Sequence, residues 1–373
     1  MNKVLLVFCL FLSFCSFAVK VAPSDSNFTY TGRFDFSAKK VVSFGYTGAK
    51  IKFDFKGEVL SIGLSDWSDG FAEHENYYNI ILNGKVIDVV KATAGLKYYK
   101  IDLPSNDVFY KIEIFKRTEV ACAIGVFHGV KFNVGELRKS INIKRNIEWV
   151  GDSFLCGYGN MVSNNPPPNG NPSTGFHAKN ENGYESFGAI TSRALAANFY
   201  SVAISGRGVS RNFDGSTTGV IPSIYELIYP DSLGAKHYYF EINQDLVVIK
   251  LSTNDFGPEI QSPAILLDST SFVKAYLSFI DIVVKHNPEA KIILAIGGGL
   301  SDGYPLGLKR LSRCRSWVKV ILNESKLAHS NKFAFFEFKT ISAPYGEDWH
   351  PTIKSQNKMA KEVTPFIKEF MDW

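Results

Sequence analysis

The chain has 373 residues, of which 45% are hydrophobic and 21% are charged, and its formal net charge is +5 at pH 7. This length favours two domains, each large enough to bury its own core. Because the lysines and arginines are scattered rather than gathered into a basic face or stripe, no nucleic-acid partner is expected.

The first 18 residues have the pattern of a secretory signal peptide. Lys3 supplies a positive start, residues 4–17 form an apolar stretch that is short for a membrane span, and Ser16 and Ala18 are small residues at the positions that specify cleavage. We therefore expect cleavage after Ala18, a secreted or extracellular protein, and no membrane association once the segment is removed. The alternative is an uncleaved anchor.

Secretion changes how the cysteines and two asparagines are interpreted. Removal of the signal segment leaves three cysteines, Cys122, Cys156 and Cys314. This odd number allows one disulfide with a free thiol, or three buried thiols. Cys156 is expected to be a buried thiol rather than a nucleophile. In a secreted chain, glycosylation is predicted at two sequons, Asn27 and Asn323.

Residues 25–138 have the periodicity of short β-strands. Lys50–Phe55 and Tyr110–Phe115 alternate between polar and apolar residues, and Tyr78–Leu82 is followed by the hairpin sequence Asn83-Gly84. Many short strands with glycine and asparagine turns favour an all-β sandwich. A jelly-roll-like topology is compatible with this pattern, although periodicity alone does not determine it.

Residues 141–373 instead alternate between strands and helices. Five buried-type strands are predicted, at Ile147–Val150, Phe199–Ile204, Leu246–Leu251, Lys291–Ile296 and Phe333–Phe338. Amphipathic helices are predicted around Phe272–Val284, Leu311–Leu322 and Met359–Phe370. This alternation predicts an α/β domain with a parallel sheet and helices on both faces. Segment Asn164–Asn182, rich in Pro, Asn and Gly, is predicted to be a long surface loop.

Four polar or glycine positions follow the ends of these strands. Ser153, Gly206 and Asn254 come directly after the first three strands, and His350 follows the last one. Because ligands of an open parallel sheet bind beyond the carboxyl ends of its strands, these residues are expected to meet at one edge. We considered Ser153 or Asp152 as a simple helix N-cap, which is the structural alternative.

These residue types fit acyl transfer. Ser153 would attack an ester carbonyl, and His350 would take its proton and return it to the leaving alcohol. The backbone N–H groups of Ser153 and Gly206 and the side-chain amide of Asn254 would form an oxyanion hole. Metal binding has no support, because no Cys/His spacing fits a ligand set.

The same four blocks resemble the SGNH (GDSL-type) hydrolases, and among these most closely carbohydrate esterase family two, a group of polysaccharide acetylesterases. The blocks are Gly151-Asp152-Ser153 with Gly157-Tyr158-Gly159-Asn160, then Ser205-Gly206-Arg207-Gly208, Thr253-Asn254-Asp255-Phe256, and Asp348-Trp349-His350-Pro351. In the first domain, Lys116-Arg117-Thr118-Glu119 and Phe127-His128-Gly129 are also similar to that family.

The resemblance implies an SGNH-hydrolase three-layer fold after a jelly-roll-like domain, and hydrolysis of acetyl esters on xylan- or mannan-type polysaccharides or oligosaccharides without a cofactor. It also implies that Trp349 is a platform for a sugar ring. Two positions depart from the pattern. Ser252 stands where the third block usually begins with glycine, and many SGNH enzymes place their acid where this chain has Glu347. In the esterase family the acid lies at Asp348, which is our prediction. The alternative is a Ser–His dyad in which Asp348 supplies only a backbone carbonyl.

Two other functions are kept open. One is a different SGNH activity, such as a lipid or thioester hydrolase or an acetyltransferase. The other is a catalytically weak glycan-binding protein. The sequence does not specify the natural polysaccharide, the hydroxyl that carries the acetyl group or the oligomeric state.

Overall fold

A computed structural model describes residues 18–67, 75–162, 172–230, 234 and 236–373. Residues 1–17 of the predicted signal peptide lie outside the described residues, as do positions 163–171 of the predicted long loop. The remaining chain forms an antiparallel β-sandwich domain followed by an α/β domain with a parallel sheet.

The sandwich domain contains twelve strands among the described residues. They are β1 (Val19–Val21), β2 (Thr29–Thr31), β3 (Phe34–Asp35), β4 (Val42–Phe44), β5 (Lys50–Lys56), β6 (Val59–Trp67), β7 (Tyr77–Leu82), β8 (Lys85–Lys91), β9 (Lys97–Asp102), β10 (Tyr110–Lys116), β11 (Ile124–Phe132) and β12 (Glu136–Arg138). One sheet has the order β3-β4-β11-β6-β9, with β1 paired to β11. The other has the order β12-β5-β10-β7-β8, with β2 paired to β5.

Alternation along these strands explains the sandwich. Side chains two positions apart point to the same face of a strand, and the core receives such a set from each sheet. Phe53 and Phe55 come from β5, and Ile62 and Leu64 come from β6, all fully buried. The prediction of an all-β domain is therefore confirmed. The domain extends before residue 25, because Val19 of β1 pairs with Phe132 of β11.

The α/β domain has five strands and seven α-helices among the described residues. The strands are β13 (Arg145–Gly151), β14 (Ala197–Ala203), β15 (Leu246–Lys250), β16 (Lys291–Gly297) and β17 (Phe333–Phe338). The helices are α1 (Ser153–Cys156), α2 (Phe187–Ala194), α3 (Ile221–Ile224), α4 (Pro258–Gln261), α5 (Ser269–His286), α6 (Arg310–Ala328) and α7 (Ile353–Met371). The strands are parallel and are ordered β14-β13-β15-β16-β17.

The sheet is the middle of three layers. Helices α5 and α6 contribute buried residues to one core, and α2 and α7 contribute to the core on the opposite face. In α5 the buried residues Phe272, Tyr276, Phe279, Ile280 and Val283 recur at helical spacing, which places them on one face. The predicted three-layer arrangement is confirmed, and all five predicted strands are present with ends shifted by a few residues at most.

The order of the strands sets the position of the site. The chain leaves β13 toward β14 on one side and then crosses to β15 on the other. In sheets of this order, ligands bind in the crevice at the switch point, beyond the carboxyl ends of the strands. Gly151 ends β13 and Ser153 follows it, so Ser153 lies at the switch point.

The two domains share buried polar contacts. Arg33 of the sandwich domain donates to Glu148 of β13 at 3.2 Å, and both side chains are buried. Arg33 also donates to the carbonyl oxygens of Tyr225 and Leu227. Because a buried charge is stable only when it is paired and hydrogen-bonded, this contact requires the domains to pack together.

The structure also describes the three cysteines and the two predicted glycosylation sites. Cys122, Cys156 and Cys314 carry free, buried thiols, which is the second of the two alternatives. Among the described residues, no helix has the length and apolarity to cross a bilayer. Asn27 is half-buried and Asn323 is exposed on α6, and glycosylation at either stays a prediction.

Candidate active site

Ser153 is the first residue of α1 and is separated from the end of β13 by Asp152 alone. The N-cap of this short helix is Asp152, whose side chain accepts the N–H of Phe154 at 3.1 Å. Because Asp152 provides the cap, the Ser153 hydroxyl is available for another partner. Of the two N-cap candidates, Asp152 is therefore confirmed and Ser153 is not the cap.

That partner is His350. The Nε2 atom of His350 lies 2.7 Å from Ser153 Oγ, and its Nδ1 atom lies 2.9 Å from the carbonyl oxygen of Glu347. A carbonyl oxygen only accepts hydrogen bonds, so Nδ1 carries the proton and Nε2 presents a lone pair to the serine hydroxyl. This is the arrangement that a general base requires.

The predicted role of Asp348 needs a correction. Its carboxylate does not hold His350: Oδ2 accepts the Tyr158 hydroxyl at 2.6 Å, and Oδ1 accepts the N–H groups of Thr174 and Gly175, each at 3.2 Å. The carbonyl that contacts His350 belongs to Glu347 rather than to Asp348. Asp348 points away from His350, because its left-handed backbone conformation directs its side chain toward Tyr158 and the 174–175 backbone.

Tyr158 belongs to one of the sequence blocks that resemble the family, but the sequence did not predict its contact with His350. Its ring stacks on the His350 imidazole with centroids 4.1 Å apart and planes 24° apart. Burial and the neighbouring Asp348 raise the pKa of Tyr158 well above its ordinary value, so it remains a hydroxyl donor. Asp348 thus fixes Tyr158, and Tyr158 covers one face of His350.

The Glu347 side chain anchors the turn that precedes His350. It is buried, and Oε1 accepts from His177 Nδ1 at 2.7 Å and from Asn180 Nδ2 at 2.6 Å. Gly159 lies against it, since a Cβ there would come within 2.4 Å of the Glu347 Cβ. These contacts hold the carbonyl that orients His350. These contacts were not predicted from the sequence, because the hydrogen-bond partners lie about 170 positions away from Glu347.

Asp348 and Trp349 both have left-handed backbone conformations, with φ of 45° and 60°. Non-glycine residues there cost on the order of 1–3 kcal/mol each and persist where surrounding contacts determine the conformation. The Trp349 side chain is 51% exposed next to His350. Its position suits the predicted sugar platform, which stays a prediction.

The two remaining predicted residues lie on the loops after β14 and β15. Gly206 has a φ of +76°, and a Cβ there would meet nothing within 4 Å. Its backbone conformation therefore favours glycine independently of any substrate. Asn254 is buried, and its Nδ2 donates to the Arg207 carbonyl at 2.8 Å. One amide hydrogen of Asn254 joins it to the loop that carries Gly206, and the second remains for an oxyanion.

A buried ion pair lies beneath the nucleophile. Lys250, the last residue of β15, donates to the Asp152 carboxylate at 3.0 and 3.2 Å, and both side chains are almost fully buried. Its ammonium also donates to Thr253 Oγ1 at 3.1 Å. The pair links the strand end that carries Ser153 to the one that carries Asn254.

Ser252 has a φ of 103°, which gives a physical reason why glycine is usual at this position. We expect Ser252→Gly to raise the free energy of unfolding by about 1 kcal/mol, because relief of backbone strain exceeds the entropic cost of glycine. Urea unfolding measures this change. The matched control is Ser201→Gly in strand β14, another buried serine, which should lower stability. A loss of stability in Ser252→Gly would show that its contact with Cys314 Sγ at 3.2 Å outweighs the strain.

The chain is similar to a known protein family and to a solved structure. The family model "Carbohydrate esterase 2 N-terminal" matches residues 30–140. A solved structure of a family two carbohydrate esterase from Clostridium thermocellum, in complex with cellohexaose, is 30% identical; the match covers 93% of this chain and 99% of that chain with a TM-score of 0.82. The chain belongs to carbohydrate esterase family two.

Two curated relatives agree with this assignment to family two. The chain is 31% identical over 356 residues to the cellulase/esterase CelE of Acetivibrio thermocellus, covering 94% of this chain but only 40% of that protein's length. It is 25% identical over 361 residues to an acetylxylan esterase / glucomannan deacetylase of Cellvibrio japonicus, covering 95% of this chain and 91% of the relative. A GDSL-like structure from Bacteroides ovatus, 14% identical over 87% of this chain and 85% of that chain with a TM-score of 0.55, supports the SGNH fold alone.

Proposed function

We propose that this family two chain is a secreted serine esterase that removes O-acetyl groups from xylan- or mannan-type polysaccharides or oligosaccharides. Ser153 forms the acyl-enzyme, and His350 is the general base. The observation that carries the proposal is the contact of 2.7 Å between His350 Nε2 and Ser153 Oγ.

The proposal that the protein is secreted rests on the signal-like segment at its N-terminus. We expect the exported protein to begin at Val19, and sequencing its N-terminus checks this.

The geometry supports a two-step reaction through an acyl-enzyme. As Ser153 Oγ attacks the acetyl carbonyl carbon, its proton passes to His350 Nε2, and the carbonyl oxygen becomes an oxyanion. The N–H groups of Ser153 and Gly206 and the Asn254 amide stabilise that charge. His350 then gives this proton to the leaving sugar oxygen, which departs as a hydroxyl group. A water molecule that loses a proton to the same imidazole attacks the acetyl carbon of the acyl-enzyme, acetate is released, and the proton returns to Ser153 Oγ.

The imidazolium that forms transiently is stabilised without a carboxylate contact. Its Nδ1–H donates to the Glu347 carbonyl, and the charges of Asp152 and Asp348 act on it from nearby. We therefore propose a Ser–His dyad that is supported by a backbone carbonyl, in which Asp348 acts on His350 through Tyr158.

The substrate class is supported by the relatives and by the surface at the site. One relative is named an acetylxylan esterase and glucomannan deacetylase, and another related esterase was solved with cellohexaose. The exposed Trp349 ring beside His350 offers the flat apolar face on which a sugar ring packs.

The direct test is acetate release from acetylated xylan and acetylated glucomannan, compared with hydrolysis of long-chain fatty-acyl esters. We expect acetate release from at least one polymer and poor activity on the long-chain esters. Preference for the fatty-acyl esters would favour another SGNH activity. Binding to the polymers without release of acetate would favour the glycan-binding alternative.

The activity should depend on pH through His350. Burial lowers the pKa of His350 below its ordinary value of 6.5, and only the neutral ring accepts the serine proton. The value of kcat/KM should therefore be constant near pH 7 and fall as pH decreases through a midpoint below 6.5. In Asp348→Asn the midpoint should fall further, because a negative charge that favours the imidazolium is removed. A wild-type midpoint above pH 7 would contradict this assignment.

A further inference from the structure

A second polar cluster lies at the domain interface, next to the loop after β14 that carries Ser205 and Gly206, which we call the oxyanion loop. It contains two glutamates, one lysine and two cysteines, all buried: Lys116, Glu119, Cys122, Cys156 and Glu181. Lys116 and Glu119 belong to the end of β10 and the turn after it, so they come from the sandwich domain. None of these residues takes part in the reaction proposed above.

The Glu119 carboxylate contacts two elements of the active site. Its Oε2 accepts the backbone N–H of Ser205 at 2.7 Å, and Ser205 directly precedes Gly206. The same oxygen accepts a weak hydrogen bond from Cys156 Sγ at 3.8 Å. Cys156 is the last residue of α1, whose first residue is Ser153. A single side chain of the sandwich domain therefore joins the nucleophile helix to the oxyanion loop.

The contact with Ser205 lies one residue before the Gly206 N–H that is proposed for the oxyanion hole. Peptide units are planar, so only the two backbone dihedrals of Ser205 separate its own N–H from that of Gly206. An acceptor that fixes the first N–H therefore restricts the second. Gly206 has a φ of +76° and no side chain to hold it in place, so its orientation depends on such backbone contacts.

Glu119 is itself held rigidly. Its N–H donates to Glu181 Oε2 at 2.9 Å, and its carbonyl oxygen accepts from Lys116 Nζ at 3.0 Å. Lys116 Nζ also donates to the Thr118 carbonyl at 2.7 Å. Cys122 Sγ donates to Glu181 Oε2 at 3.5 Å. The backbone of Glu119 is therefore held by buried partners, which favours precise placement of a site by its supporting residues.

The charges of the cluster balance with one shared proton. Burial and the charge of Glu119 raise the pKa of Glu181 well above its ordinary value, and burial also raises the pKa of Glu119. The larger shift is at Glu181, so Glu181 is the carboxyl group that holds a proton, and the Lys116 ammonium favours the charged form of Glu119. Ligand atoms of Glu119, Cys156 and Glu181 lie within 4.8 Å of one another, but burial raises the pKa of Cys156 and keeps its thiol protonated.

We infer that Glu119 of the sandwich domain is a positioning residue for the oxyanion hole, which it aligns through the backbone N–H of Ser205. The inference rests on the proposed esterase function. It gives the sandwich domain a defined part in catalysis: the α/β domain carries the nucleophile, the base and the oxyanion donors, and the sandwich domain fixes the loop that presents one of those donors.

Two substitutions separate geometry from charge. Glu119→Asp keeps the charge but shortens the side chain by about 1.5 Å, which withdraws the acceptor from Ser205. Glu119→Gln removes the charge but keeps an acceptor oxygen at the same reach. With 4-nitrophenyl acetate as substrate, we expect Glu119→Asp to lower kcat by about 10- to 100-fold with little change in KM, because the oxyanion contact is made mainly in the transition state. Glu119→Gln should stay within a few-fold of wild type.

The matched control is Glu148→Gln, which alters another buried interdomain contact, with Arg33. It should lower stability and leave kcat nearly unchanged. An equal loss of kcat in Glu148→Gln would show a general effect of domain packing and overturn the inference. So would a Glu119→Asp enzyme with wild-type kcat, or a Glu119→Gln enzyme with the larger loss.

Amide hydrogen exchange tests the contact between Glu119 and the Ser205 N–H independently of catalysis. Exchange at Ser205 and Gly206 should become faster in Glu119→Asp and remain slow in Glu119→Gln. If the wild-type chain hydrolyses no acetyl ester, the proposed function fails, and the exchange pattern still decides whether Glu119 holds the loop. Unchanged exchange in Glu119→Asp would overturn the positioning role even in an active enzyme.

Discussion

Ser153→Ala is expected to lower acetate release by on the order of 10⁵-fold, because removal of the nucleophile of an acyl-enzyme mechanism leaves only binding and oxyanion stabilisation. Folding should be preserved. Asp152 rather than Ser153 caps α1, and the only side-chain partner recorded for Ser153 among the described residues is His350. The measurement is acetate release from acetylated xylan, together with thermal unfolding of both proteins.

A matched control for this substitution is Ser192→Ala. Ser192 is a buried serine of α2 whose hydroxyl accepts the Trp149 indole N–H at 3.0 Å, and it lies outside the proposed machinery. Its replacement should cost about 1 kcal/mol of stability and leave turnover intact. A Ser153→Ala protein that keeps more than a small fraction of wild-type turnover would exclude Ser153 as the nucleophile.

His350→Ala is expected to lower kcat by on the order of 10⁴-fold or more, since no other base is in contact with the Ser153 hydroxyl among the described residues. Asp348→Asn should lower kcat by only about tenfold or less. Asp348 reaches His350 indirectly, because its carboxylate accepts from Tyr158 and from two backbone N–H groups. Steady-state kinetics on 4-nitrophenyl acetate with both variants measures the difference.

The comparison decides between the dyad and the triad. Equal losses in Asp348→Asn and His350→Ala would restore Asp348 as the orienting acid. Tyr158→Phe is the accompanying control: it keeps the ring that stacks on His350 but removes the hydroxyl that donates to Asp348. If Asp348 acts through Tyr158, the two variants should lose similar, modest amounts of activity.

Much of this fold was predictable because its elements depend on local periodicity. The alternation in Lys50–Phe55 and the helical spacing of Phe272, Tyr276 and Phe279 each bury one face of an element, whatever the rest of the chain does. The convergence of Ser153, Gly206, Asn254 and His350 was also predictable, since each follows a strand of a parallel sheet. That argument needs only the strand ends, and not their exact packing.

The partner of His350 was not predictable in the same way. Asp348 and Glu347 are both close in sequence, but a tight turn decides which group meets the imidazole. Left-handed conformations at Asp348 and Trp349 direct the Glu347 carbonyl toward Nδ1 and the Asp348 carboxylate toward Tyr158. Such a turn is held by distant contacts with Gly159, His177 and Asn180, which no local pattern reveals.

The sequence by itself determined the two-domain order, the parallel sheet and the four residues that meet at its edge, because periodicity and strand ends are local properties. Only the tertiary structure decided that a backbone carbonyl orients His350, that Tyr158 covers it, and that Glu119 reaches the oxyanion loop from the other domain. The carbonyl contact depends on a turn that distant residues hold, and the Tyr158 contact joins residues far apart in the chain. The Glu119 contact exists only when both domains have packed.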